Sequence, residues 1–178
     1  MTARLADPRL VSKKVCLLGD FAVGKTSLVS RFVYNTFEER YLSTIGVRVG
    51  RKVITLADRD APIEIALMLW DLGGGDEHQR VQASYLRGAA GALIVCDLTR
   101  EESVDRLEAY ASDLRAVSPE ARVVLAANKA DLAAERRVSD SQLEAIARRL
   151  DAPCLLTSAL TGNNVEAAFR ALAERIMR

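Results

Sequence analysis

The chain has 178 residues, 49% hydrophobic and 28% charged, the make-up of one globular domain and not of a disordered chain. With 25 basic and 24 acidic side chains its formal charge is +1, so no global field drives it toward nucleic acid or acidic lipid. The longest nearly uninterrupted apolar run, residues 88–96, is about half of what a bilayer-spanning helix needs, and no apolar segment follows a basic one at the start as a secretory signal would.

Residues 1–12 read as a flexible tail and residues 13–178 as a single domain. Val15-Cys16-Leu17-Leu18 is a short buried strand that stops at a glycine loop, and residues 27–34 read as a helix. Residues 47–56 and 63–70 flank the polar Asp58-Arg59-Asp60 and form a hairpin. Ala92-Leu93-Ile94-Val95-Cys96 is the next strand. The helix after it spans residues 103–117, with Val104, Leu107, Ala111, Leu114 and Val117 on one stripe. Val123-Val124-Leu125-Ala126-Ala127, a helix over residues 139–150 and the strand Cys154-Leu155-Leu156 follow. A last helix, capped by Asn163 or Asn164, places Val165, Phe169, Leu172 and Ile176 on one face. Short continuous apolar strands separated by helices specify an α/β fold. Its sheet is mostly parallel and six-stranded, with one antiparallel strand from the hairpin and helices on both faces. Ligands of such sheets sit beyond the carboxyl ends of the strands. Cys16, Cys96 and Cys154 lie far apart inside apolar runs and read as buried thiols of a reducing, cytoplasmic setting.

Gly19-Asp20-Phe21-Ala22-Val23-Gly24-Lys25-Thr26 has the spacing of a P-loop and sits between a strand and a helix, the context the motif requires. Its glycines let backbone N–H groups converge on phosphate oxygens at a helix N-terminus. Lys25 can span the β- and γ-phosphates, the hydroxyl of Thr26 can ligate Mg²⁺, and Ser27 opens the helix. Asn128-Lys129-Ala130-Asp131 follows a strand directly, so it lies on the same edge. Asp131 can accept from guanine N1–H and the 2-amino group, a pattern adenine does not supply, while the stem of Lys129 covers one ring face.

With these motifs the chain resembles a Ras-superfamily small GTPase, closest to the Rab branch, from Lys13 onward. Three further segments carry the resemblance. Tyr41-Leu42-Ser43-Thr44-Ile45-Gly46-Val47 is similar to the first switch, which implies that Thr44 ligates Mg²⁺ and senses the γ-phosphate. Trp70-Asp71-Leu72-Gly73-Gly74 is similar to the second switch; it implies that Asp71 holds Mg²⁺ through a water and that Gly74 N–H approaches the γ-phosphate. Thr157-Ser158-Ala159 is similar to the loop that bonds the guanine carbonyl, and Phe37 corresponds to the aromatic that packs on the base. The resemblance implies the P-loop G-domain fold, GTP and GDP as ligands with Mg²⁺, and GTP hydrolysis. It also implies effector, exchange-factor or GTPase-activating partners at residues 37–49 and 71–88.

Three positions depart from that pattern. Gly75 stands where a glutamine usually orients the attacking water, Phe21 where the P-loop residue nearest the γ-phosphate is small, and Leu160 where a lysine usually follows Ser158-Ala159. Glycine offers no group to orient a water, so slow unaided hydrolysis is expected, with His78, Gln79, Gln82, Arg40 and Arg48 as nearby substitutes. A GTP-binding sensor or scaffold with negligible hydrolysis is the alternative; a nucleoside kinase leaves residues 128–131 unexplained. Rab-branch relatives carry C-terminal cysteines for prenylation, whereas this sequence closes on Glu174-Arg175-Ile176-Met177-Arg178, which leaves two readings of membrane attachment: a lipidated tail that has been removed, or a cytosolic protein.

Overall fold

The computed structural model describes residues 9–38, 46–57, 61–73 and 79–178. Six strands form one sheet in the order β2-β3-β1-β4-β5-β6. They are β1 (Arg9–Leu18), β2 (Val47–Leu56), β3 (Ile63–Leu72), β4 (Gly91–Asp97), β5 (Arg122–Asn128) and β6 (Cys154–Leu156). The hairpin partners β2 and β3 pair antiparallel, and the other four pairings are parallel, as expected. Strand β1 begins four residues earlier than the boundary at Lys13: Arg9 to Ser12, read as tail, pair with Ile63 to Ala66. Backbone pairing with the long β3 extends the strand past its apolar run, which a hydropathy pattern does not register.

The helices are α1 (Lys25–Tyr34), α2 (Gln79–Leu86), α3 (Glu102–Asp105), α4 (Leu107–Val117), α5 (Asp140–Leu150) and α6 (Val165–Ile176). Alternation along β1 splits the core in two. Val15 and Leu17 pack with Leu28 and Phe32 of α1 and Phe169 and Leu172 of α6. Cys16 and Leu18 face Leu86 of α2, Leu107 and Leu114 of α4 and Ile146 of α5. Phe169, fully buried, stacks on Phe32 with centroids 4.1 Å apart, a contact worth about 0.5–1.5 kcal/mol beyond its area.

Two local expectations change. The single helix over residues 103–117 is two: Arg106 leaves regular helix at φ −91°, ψ −6°, and its Nε reaches Asp20 Oδ1 at 3.2 Å. The apolar stripe runs through the break, so periodicity did not reveal it. Asn164 does precede α6 but caps nothing with its side chain: it is left-handed (φ 54°), and its Nδ2 donates to Leu156 O at 2.9 Å. By contrast Ser139 and Gln142 form a full capping box on α5. No helix among the described residues is long and apolar enough to cross a membrane.

Candidate functional site

The carboxyl ends of β1, β3, β4, β5 and β6 share one rim, and the motif residues gather there because parallel strands all deliver their following loops to the same edge. The loop after β1 turns tightly: Gly19 has φ 141°, Ala22 φ 61° and Gly24 φ 103°. A Cβ on Gly19 would lie 2.3 Å from Val95 O, and one on Gly24 2.3 Å from Asn128 Nδ2, so the loop is pressed onto its neighbours. Val23 is buried and anchors it in the core.

Lys25 folds back over this loop. Its Nζ donates to Gly19 O at 2.7 Å and Asp20 O at 2.8 Å. Burial lowers its pKa to about 8, against the pull of Asp71 and Asp20. Both of these acceptors are neutral carbonyls, and a buried ammonium so placed is suited to an anionic ligand. Ser27 lies in the first turn of α1 beside it.

Thr26 Oγ1 donates to Asp71 Oδ2 at 2.5 Å. Asp71 is 2% exposed, and its Oδ1 has no hydrogen-bond partner among the described residues. Burial pushes its carboxyl up, with the Thr26 bond, Lys25 and Arg48 opposing. Arg48 sits across from Asp71 in the β2–β3 register with an exposed side chain. A buried carboxylate with one orphaned oxygen and the other on a hydroxyl offers oxygen donors to a hard divalent cation, so these residues fit Mg²⁺.

At the other end, Asn128 ties three loops together. Nδ2 donates to Val23 O at 3.0 Å, while Oδ1 accepts from Thr157 Oγ1 at 3.2 Å and Ala159 N–H at 3.3 Å. Lys129 is left-handed (φ 66°), and its Nζ pairs with Asp97 Oδ2 at 2.6 Å. Asp131 is exposed, and one of its carboxylate oxygens accepts from Ser158 Oγ at 2.5 Å. The β6 loop is held from behind by Arg31, whose Nε donates to Ala159 O at 2.8 Å and Nη2 to Leu160 O at 2.6 Å. Leu160 itself is exposed, and so is Phe21; Phe37 is half-buried against the α1–α6 side of the core.

Thr44, Tyr41, Gly74, Gly75, Arg40 and His78 lie outside the described residues, as do the side chains of Gln79 and Gln82. Sequence reasoning missed Arg31, Asp97 and Arg100, which touch the motif residues without belonging to them. Asp97 had a signal, since it ends a parallel strand on the ligand rim; Arg31 had none beyond its place in α1.

The sequence profile described as Ras family matches residues 14–178. Rab-4B of Homo sapiens is 38% identical over 165 residues, covering 92% of this chain and 76% of its own. RABA6b of Arabidopsis thaliana is 38% identical, with 92% and 70% covered. The GTP-binding protein ypt4 of Schizosaccharomyces pombe is 34% identical, with 92% and 71% covered. Over nearly its whole length, then, the chain belongs to the Ras family of small GTPases and is Rab-like.

Proposed function

We propose that this protein is a guanine-nucleotide switch that binds GTP and GDP with Mg²⁺ and hydrolyses GTP to GDP and phosphate, slowly when unaided. One observation carries the reading. Lys25, the Thr26–Asp71 pair and the Asn128–Asp131–Ser158 cluster sit on one rim, where Lys25 bonds the Gly19 carbonyl and Asn128 ties its loop to the β1 loop at Val23 O. Family membership supports it, and the name of the fission-yeast relative records GTP binding.

In this reading the backbone of Gly19, Phe21, Ala22, Val23 and Gly24, with Lys25, Thr26 and Ser27, cradles the phosphates. Asp131 reads the guanine edge, Asn128 fixes the loops, and Lys129 and Phe37 cover the ring. Ala159 N–H bonds the guanine carbonyl, flanked by Ser158 and an apolar Leu160. Thr26, Thr44 and Asp71 hold Mg²⁺, which supplies charge stabilisation at the phosphates when bound. Tyr41, Thr44 and Gly74 belong to the loops that respond to the γ-phosphate. Regulators and effectors dock on residues 37–49 and 71–88. Three free thiols, two of them buried, suit a reducing cytoplasm.

Hydrolysis needs a water in line with the γ-phosphate. Gly75 has no side chain to orient it, and the exposed Phe21 stands at the phosphate end of the loop, in the way of an arginine from a partner. Single-turnover phosphate release tests this: Gly75→Gln is expected to exceed wild type. Equal rates would mean that another residue positions the water, and absence of release from both would leave the sensor alternative. Calorimetry showing no preference for GDP over ADP would end the guanine reading.

A further inference from the structure

The stretch from the end of β4 to α4 is not part of any recognised nucleotide motif, yet its side chains reach both halves of the site. Asp97, the last residue of β4, is 1% exposed. Its Oδ1 accepts from Thr99 N–H at 2.9 Å and Thr99 Oγ1 at 2.7 Å. Its Oδ2 faces Lys129 Nζ at 2.6 Å and Arg100 Nε at 3.4 Å. The same guanidinium then donates from Nη2 to Phe21 O of the β1 loop at 2.7 Å. One buried carboxylate thus holds a lysine of the base loop and an arginine that grips the phosphate loop. Burial disfavours its charge, but the bonds from Lys129 and Thr99 outweigh that and hold the carboxyl below its ordinary range. Asp97 is therefore a fixed negative charge at neutral pH.

A second brace lies beside it. Tyr110 OH donates to Asp20 Oδ1 at 2.7 Å, and Arg106, at the break between α3 and α4, pairs with the same oxygen. The phosphate loop is thereby held at two successive residues, Asp20 and Phe21, from one segment. The brace at Asp97 also reaches the base loop, at Lys129.

We propose that Asp97 is a positioning residue that sets Lys129 over the guanine site and, through Arg100, fixes the phosphate loop at Phe21, so that base and phosphate recognition are coupled through one carboxylate. The inference rests on the placement of Lys129 and the β1 loop in the proposed function. Lys129 is left-handed and half-exposed, so without an anchor its long side chain samples many rotamers, and ordering it on binding opposes affinity. Arg100 likewise pre-orders a loop that must present several N–H groups together.

The test is the release rate of a fluorescent GDP from the full chain with Mg²⁺, alongside thermal unfolding of each variant. Asp97→Asn is expected to release GDP about tenfold faster, the effect of losing a charged hydrogen-bonding partner. Arg100→Ala, at a partly exposed position that does not endanger folding, is expected to release it about threefold faster. In a Lys129→Ala, Arg100→Ala background, Asp97→Asn should add less than about twofold, because both groups through which it acts are gone. A carboxylate that merely stabilised β4 would keep its full effect there, and that result overturns the proposal. Wild-type release rates from both Asp97→Asn and Arg100→Ala do the same. If Lys129→Ala alone leaves release unchanged, the base-loop assignment itself fails, an outcome distinct from failure at Asp97 only.

Discussion

Replacing Asn128 by alanine isolates the residue that binds the base loops to the phosphate loop. Asn128 is 2% exposed and makes three hydrogen bonds, at 3.0, 3.2 and 3.3 Å, to Val23 O, Thr157 Oγ1 and Ala159 N–H. Alanine leaves those three groups without that partner. An orphaned buried group costs about 1–3 kcal/mol, but two of these bonds are long and their losses do not add in full, so about 3 kcal/mol in total is expected. With a urea slope near 2 kcal/mol/M for a domain of this size, the unfolding midpoint of nucleotide-free protein should fall by about 1.5 M. Thr157→Val, which removes one donor, should lose about 1 kcal/mol in the same assay. The reasoning is refuted if Asn128→Ala unfolds within about 0.5 kcal/mol of wild type while GDP binding weakens. Asn128 would then act on the ligand alone and not as a tie between loops.

Asp71→Asn should leave nucleotide-free stability equal to or above wild type, because the buried charge disappears while a side-chain oxygen still accepts from Thr26; GDP release should meanwhile lose its dependence on Mg²⁺, read by comparing release with and without chelator. Arg31→Ala removes the ties to Ala159 O and Leu160 O, and GDP release should accelerate about threefold to tenfold with little change in the phosphate contacts. Stability should also fall at high pH. Burial raises the Cys96 thiol from 9.0 to about 12, so between those values the unfolded chain gives up a proton that the folded chain keeps. The loss is ~1.4 kcal/mol per pH unit for this thiol, beginning near pH 9 and absent below it. Denaturation of Cys96→Ala across the same range should show a correspondingly shallower slope, whatever its cavity costs at neutral pH.

Much of the fold was legible because its signals are local. The apolar runs at Val15–Leu18, 92–96 and 123–127 are short, bounded and separated by helical stripes, and only a parallel sheet covered on both faces buries them all. The P-loop spacing names a chemistry in its strand–loop–helix context, and residues 128–131 gain theirs from following a strand on the same edge, where the rule that ligands sit at strand carboxyl ends puts the two together. Less was legible where backbone pairing or long-range side chains decide. Strand β1 starts at Arg9 since β3 is there to receive it, and the helix after β4 breaks at Arg106, whose side chain reaches Asp20 across the fold.

The chain by itself therefore determined the α/β class, the sheet's hairpin and the motif residues that gather on the rim, each through periodicity or a spaced motif confined to a few positions. Tertiary structure alone decided how those residues are held. Arg31 reaches Leu160 O across 129 positions, Asn128 reaches Val23 O across 105, and Arg100 reaches Phe21 O across 79. The physical reason is that a hydrogen bond between distant positions leaves no periodic trace in sequence: it exists only once the sheet has brought its loops to one rim.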